Sequence, residues 1–388
     1  GIVRTGVVGI GRRGRPAHAL RPVRAPRAVP GGGALGRRAD ARRSGGGAEG
    51  VVEAAAARLP KEQEWLKDLR QAQGRYEPEV EAAIGDGRSR AYPRLTHVKV
   101  RTMDARIFSI LFPAGKEKNW GISPTPKPRL SPGRMGMAIE KFIELTGTVP
   151  LDSELEFLAS EYAKTAALGM EKVVEDQLVE AGYTSKIRKV MHSGHLYGTG
   201  IIKGPLVEKK IQRRWQDEGA AWAMTDKEIM APWVDYVSVW DGYPDPESTS
   251  RDDMEFFIQR HTMNKTNLKA LRKNGFNAEI ISRHVANYPE GDAKLLLHES
   301  ERIAASDGIT QMRQNKRRYE MLEYWGPVEA SLLKECGCDV GGDEEDVEAC
   351  VWVLGHKVVK AARNPFDNQT KPFYFYVPSP DENSIFGI

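Results

Sequence analysis

The chain has 388 residues, of which 40% are hydrophobic and 28% charged, so it can bury a sizeable core and has a globular composition. No apolar run reaches the roughly 18–20 residues that span a bilayer, and the N-terminus lacks the apolar segment of a signal peptide. Three clustered cysteines are too few for a disulfide framework, which favours a reducing cytosol. We therefore expect no membrane partner.

Charge is distributed unevenly along the chain. Residues 1–50 contain eleven arginines, no lysine and two acids, a net of +9. Because the whole chain carries +4, residues 51–388 carry −5. A DNA-binding domain usually clusters basic residues in its folded part. Because residues 51–388 carry a net negative charge, we expect no such cluster in this body.

Residues 1–50 are composed mainly of Gly, Ala, Arg and Pro and have no aromatic residue, so they cannot offset the entropy of folding. Three interpretations stay open: non-native sequence from an out-of-frame reading, a disordered tail, or a basic arm that binds nucleic acid. The pattern Gly9-x-Gly11-x-x-Gly14 matches a dinucleotide fingerprint. Pro16 and Pro22 interrupt the helix that this fingerprint requires, so we predict no cofactor.

Helices are expected in the first half of the body. Apolar periodicity and capping residues indicate helices over 51–73 (interrupted or restarted at Pro60), 95–112, 152–180 and 184–195. The helix over 95–112 is expected to bury one face, formed by Val98, Met103, Ile107, Ile110 and Leu111. Four prolines between residues 124 and 132 indicate an extended connector.

The second half of the body has the pattern of an antiparallel sheet. Strands are predicted as short runs within 200–240, then over 254–261, 319–325, 348–354, 357–361 and 372–377, the last as an edge strand. Short helices are expected from 264 and over 278–286, with a polar insertion over 289–315. The predicted class is α+β, with a helical part over 51–200 and an α/β part over 201–388.

Four carboxylates, Asp241, Asp245, Asp252 and Asp253, could serve a two-metal nuclease or polymerase site. Asp241-Gly-Tyr-Pro-Asp-Pro246 has the composition of a turn, and we favour that interpretation. No catalytic signature such as a nucleophile elbow or a P-loop occurs, so we predict no enzyme.

Histidines and cysteines raise the question of a metal site. His192 and His195 share a helix face but lack two further ligands nearby, so a packed pair is favoured. The set Cys336, Cys338, Cys350 and His356 has poor zinc spacing, so no metal is predicted. The tryptophans at 215, 222, 233 and 240 could stack bases, but core and interface packing is favoured.

Several short segments occur in a characteristic order along the chain. They are Trp65 with 89–113, His195-Leu-Tyr-Gly-Thr-Gly-Ile-Ile202, Val234 to Glu247 followed by 254–260, Tyr319 to Trp325, and the hairpin ending at Asn364-Pro-Phe366. In this order they resemble the portal (head-to-tail connector) proteins of tailed bacteriophages, especially the short-tailed type. The resemblance covers roughly residues 60–388.

The resemblance implies a structural subunit of a ring of about twelve copies at one capsid vertex, which conducts double-stranded DNA. It also implies a portal-like wing region and contacts with scaffold, major capsid protein, terminase and tail or adaptor proteins. The subunit would reside in the host cytoplasm during assembly and then in the virion. Because a portal continues into further helices, we expect a C-terminal part to be missing after Ile388.

Two alternatives stay open at this point. One is a metal-dependent nucleic-acid enzyme that uses Asp241 and Asp245. The other is a DNA-binding protein that uses its Arg-rich tail and shows a steeply salt-dependent affinity.

Overall fold

The computed structural model describes residues 45–115, 118–125, 128–217, 222–292, 317–338 and 345–387. They belong to two compact units: unit A, residues 112–180, and unit B, residues 45–111 with 181–387. The boundary predicted near residue 200 falls within unit B. The glycine fingerprint and most of the polar insertion lie outside the described residues.

Nine α-helices occur in the described part of the chain. In chain order they are α1 (Gly45–Gln73), α2 (Pro78–Ile84), α3 (Leu95–Leu111), α4 (Pro132–Thr146), α5 (Asp152–Glu180), α6 (Tyr183–Tyr197), α7 (Lys265–Ala270), α8 (Ala278–Asn287) and α9 (Ala330–Glu335). A 3-10 turn, Leu271–Asn274, follows α7 directly. Unit A contains α4 and α5, and the other helices belong to unit B.

The strands form two antiparallel sheets in unit B. They are β1 (Gly200–Asp217), β2 (Trp222–Val237), β3 (Gly242–Pro244), β4 (Phe257–Asn264), β5 (Arg318–Glu329), β6 (Asp346–Leu354), β7 (Lys357–Arg363) and β8 (Phe373–Tyr376). One sheet has the order β2-β1-β8 and the other β3-β4-β5-β6-β7. The predicted α+β class and the edge position of β8 are confirmed.

The main core of unit B lies between α1 and the two sheets. Trp65 and Leu66 of α1 meet Ile201 of β1, Phe257 of β4 and Phe373 of β8 in one buried cluster. The Phe257 and Phe373 rings stack at 3.9 Å. Helices α7 and α8 cover a second cluster beside β5 and β6, and α9 covers a third. The first residues of β1 are therefore held in the core by α1 on one side and by β4 and β8 on the other.

Two helix predictions need correction. First, α1 continues through Pro60, because Arg58 and Glu62 pair across it at 2.5 Å and the next turn buries Trp65. Such packing offsets the cost of about 3 kcal/mol of an interior proline. Second, α3 has the predicted bounds but not the predicted buried face, since Val100 is its one buried residue. It packs against α6 through polar contacts instead.

The region 200–240 also differs from its prediction. Its apolar runs belong to two long strands of 18 and 16 residues that form one hairpin, rather than to several short strands. Helix α4 was not predicted, although Ser131-Pro132 is a common helix start and Gly147 closes its end in the left-handed conformation.

Candidate functional site

Five residues form a buried charge cluster in unit B: Lys203, Gln259, His261, Glu323 and Trp325. Gln259 is paired with Glu323 in the β4–β5 register. His261 and Trp325 each lie two residues from these partners, so all four side chains occupy one face of the sheet. Lys203 reaches the same place from β1 of the other sheet.

Glu323 is the centre of this buried charge cluster. Lys203 Nζ lies 2.5 Å from both carboxylate oxygens. His261 Nε2 lies 2.7 Å from Oε2, and Trp325 Nε1 donates to Oε1 at 2.8 Å. Burial alone would raise the pKa of Glu323, but the charge of Lys203 and the hydrogen bond with His261 outweigh it and lower that pKa to about 2.

The buried charge cluster joins the two sheets at the base of the long hairpin. Lys203 is 3% exposed and Glu323 1%, so neither can meet a substrate. Its chemistry is that of a satisfied buried ion pair, which fixes one geometry. The sequence analysis did not predict this cluster. Glu323 alternates with the apolar Met321 and Trp325 in β5, and a charged residue at such an inward strand position indicates a buried ion pair.

A second network lies between α3, α6 and β8. His192 Nδ1 and His195 Nδ1 lie 2.8 and 2.7 Å from the two carboxylate oxygens of Asp104. His195 Nε2 lies 2.9 Å from the Tyr376 hydroxyl. Burial and the Asp104 charge raise the pKa of Tyr376. The histidine pair therefore shares a carboxylate 88 and 91 residues away in sequence and fixes α6 against α3.

The four carboxylates considered as metal ligands have separate partners. Arg260 donates to Asp241 Oδ1 at 2.8 and 3.0 Å. Asp245 accepts from the backbone N–H groups of Glu247 and Glu255, both at 3.1 Å. Backbone hydrogen bonds from Thr249 and Ser250 hold the pKa of Asp253 far below its usual value. The exposed Asp252 lies 3.9 Å from Arg251. Asp245 and Asp253 therefore fix turns and Asp241 pairs with Arg260, and no group of three metal-ligating side chains occurs among the described residues.

The cysteines do not converge either. Cys336 is exposed, Cys338 donates to the Ala361 carbonyl at 2.9 Å, and the buried Cys350 lies 3.9 Å from Glu323. Burial raises the pKa of Cys350 well above its usual value. All three are free thiols.

One side of the long hairpin exposes apolar side chains between two cross-strand ion pairs, Lys209 with Glu228 and Arg213 with Asp226. We define the hairpin face as Val207, Ile211, Trp215, Trp222, Met224 and Met230, all of which are at least half exposed. The register pairs Trp215 with Met224 directly and places the odd-numbered residues of β1 opposite the even-numbered residues of β2. All six side chains therefore project from the same side of the ribbon.

The four tryptophans occupy different environments. Trp215 and Trp222 are exposed on the hairpin face, whereas Trp233 is half-buried and Trp240 is buried in the main core. They do not form a common stacking surface for bases.

Unit A has a second exposed apolar surface. We define the α5 stripe as Phe157, Leu168 and Val179, which recur every eleven residues, about three helical turns. They are 65%, 59% and 76% exposed. Helix α4, which packs on α5, has no buried residue at all. Unit A therefore leaves apolar side chains exposed on both of its helices.

Basic charge is concentrated on α3 and α6, which pack together. The pair contains six Lys or Arg residues and one acid, Asp104. Of these cations Lys99, Arg101, Arg106, Arg188 and Lys189 are exposed. The expectation that the body has no basic cluster is thus wrong, because net charge over 338 residues conceals a local excess of +5.

None of the described helices combines the length and the hydropathy needed to cross a bilayer. Neither a scan against models of protein families nor a search of curated proteins finds a match to this sequence. The resemblance to portal proteins therefore stays a prediction.

Proposed function

We propose that the chain is a structural subunit of a phage portal-type ring through which double-stranded DNA is packaged and ejected. The observation that carries the proposal is the presence of two different unpartnered apolar surfaces, the hairpin face and the α5 stripe. Monomeric proteins rarely expose apolar patches larger than a few hundred Å². A ring closed by rotation needs two different faces on each subunit.

The ordered motifs support the same proposal. His195 to Ile202 is the transition from α6 to β1, where Gly198 ends the helix in the left-handed conformation. Val239 to Pro246 leads through β3 and a turn towards β4. The fold is thus compatible with a portal wing region, and the carboxylates in these motifs have structural partners.

Further roles follow from the resemblance alone. A subunit of this kind would dock the terminase during packaging and tail or adaptor proteins later, at the portal vertex of the virion. Its work would be mechanical, without a catalytic centre.

Native mass tests the proposal. Twelve copies of the 43.2 kDa chain give about 520 kDa, which mass photometry separates from monomer and dimer. We expect a closed ring near this mass, weakened by Leu168→Asp in the α5 stripe. The matched control Thr165→Asp adds the same charge at an exposed polar position of the same helix. A chain that stays monomeric at micromolar concentration would contradict the proposal.

A DNA-binding protein is the second candidate, and the basic pair α3 and α6 favours it. The exposed cations of this pair have no acidic partner within the part of the chain that the structure describes, and such cations attract phosphates with an affinity that falls steeply with salt. Sequence-independent duplex binding by a stable monomer would place this candidate first.

A further inference from the structure

The distal part of the long hairpin has no third strand. We call it the arm, residues 206–217 and 222–233. Strand β8 pairs with β1 only from Gly200 to Lys203, and β2 is an edge strand over its whole length. Both outer edges of the arm therefore have unpaired backbone N–H and C=O groups among the described residues.

An arm of this kind needs a partner. Isolated two-stranded hairpins are marginally stable in water, and this one is far longer than the usual 5–6 residues per strand. Its hairpin face adds on the order of 600 Å² of exposed apolar side chain, close to the roughly 800 Å² that one partner contributes to a standard interface.

The charges on the two strands favour a second copy of the chain as that partner. Within the arm, β1 has four Lys or Arg and two acids, whereas β2 has two acids and one Lys. Pairing β1 with β1 would oppose two net-positive strands, and pairing β2 with β2 two net-negative ones. Pairing β1 of one copy with β2 of the next opposes unlike charges, which stabilises cross-strand neighbours.

The geometry of a ring fits this arrangement. In a ring of about twelve copies, each step rotates the subunit by about 30°, so the direction of β1 changes by no more than that from one copy to the next and β1 runs roughly antiparallel to β2 of its neighbour. Pro232 has no N–H to donate, so the new pairing ends at Ala231.

We infer that the arm pairs edge to edge with the arms of neighbouring copies, β1 of one against β2 of the next. This inference rests on the proposed ring, and it names the strands that hold neighbouring subunits together.

Amide hydrogen exchange on the assembled full chain tests the inference, with the dissociated chain as reference. We expect peptides from 206–217 and 222–231 to exchange about 100-fold more slowly in the ring, because edge amides become hydrogen-bonded. Peptides from α8 should be unchanged. A ring whose arm exchanges as fast as in the dissociated chain overturns this inference alone, whereas a chain that never assembles overturns the ring as well.

A mixing experiment identifies which edges meet. Copies with Gln212→Cys and copies with Lys227→Cys, both with Cys336 and Cys338 changed to Ser, are assembled separately and together and then oxidised. A disulfide requires Cα atoms within about 7 Å, which adjacent strands satisfy and like positions two strands apart, about 10 Å, do not. We expect cross-linked dimers only in the mixture. Cross-links within either variant alone would show like edges meeting and would overturn the inference.

Discussion

The buried charge cluster makes a quantitative prediction about Glu323→Gln. The substitution keeps the shape of the side chain but removes the charge that compensates Lys203, which is 3% exposed. Breaking a buried pair in this way costs about 3–5 kcal/mol, since one charge stays buried without a partner. Replacing both partners, as in Lys203→Met with Glu323→Leu, should cost less than Glu323→Gln alone.

The pKa of Glu323 gives an independent estimate and a pH dependence. That pKa falls from 4.5 to about 2 on folding, which corresponds to about 3 kcal/mol of stability. Because the folded pKa is depressed, this stability is present above pH 4.5 and is lost as pH falls towards 2. The difference between wild type and Glu323→Gln should therefore be largest at pH 7 and shrink through this window.

Urea unfolding at pH 7, 4 and 3, followed by tryptophan fluorescence at fixed protein concentration, measures this difference. The control is Glu329→Gln, an exposed position on the same strand, which we expect to stay within about 0.5 kcal/mol of wild type. A cost below 1 kcal/mol at pH 7, or the same cost at pH 3 and pH 7, would refute the reasoning.

Three further predictions concern other parts of unit B. Burial and the neighbouring Glu64 raise the pKa of Asp68 from 3.8 to about 6, so its ionisation opposes folding increasingly above pH 3.8 and fully above about pH 6. Asp68→Asn should stabilise by about 1 kcal/mol at pH 8, after allowance for solvent screening, and by nothing at pH 3, as read from thermal unfolding. Maleimide at pH 7 should label Cys336 quickly and leave the buried Cys350 unmodified until urea is added, which mass spectrometry reports; equal rates would contradict the burial. Arg101→Gln with Lys189→Gln should reduce the salt dependence of duplex binding by about two counterions, and an unchanged slope would show that α3 and α6 do not meet phosphate.

Local signals predicted much of the secondary structure. Capping residues and apolar periodicity located α5 and α6, and alternation located β4, β5 and the β6–β7 hairpin within a few residues. Asn264 and Asn277 do cap α7 and α8 through their side chains. These features depend only on residues that are close in sequence, so a single sequence is enough to predict them.

Contacts between distant segments could not be predicted in this way. Lys203 and Glu323 are 120 residues apart, and Asp104 and His195 are 91 apart, so nothing local pairs them. The apolar residues of α3 were wrongly predicted to be buried. Periodicity shows that a helix has an apolar face but not whether the same chain covers that face. Val98 and Ile110 form such a face and stay exposed.

The arm also has a mechanical consequence. At about 3.3 Å per residue, its twelve-residue strands extend roughly 40 Å, whereas the seam that β1 forms with β8 covers four residues, or roughly 13 Å. This seam is firmly fixed, because a side chain on Gly200 would place its first carbon 2.0 Å from the Val190 carbonyl oxygen. The arm is thus about three times as long as the seam that anchors it, so a sideways force on the far end of its described strands is borne by the short contact with α6 and β8.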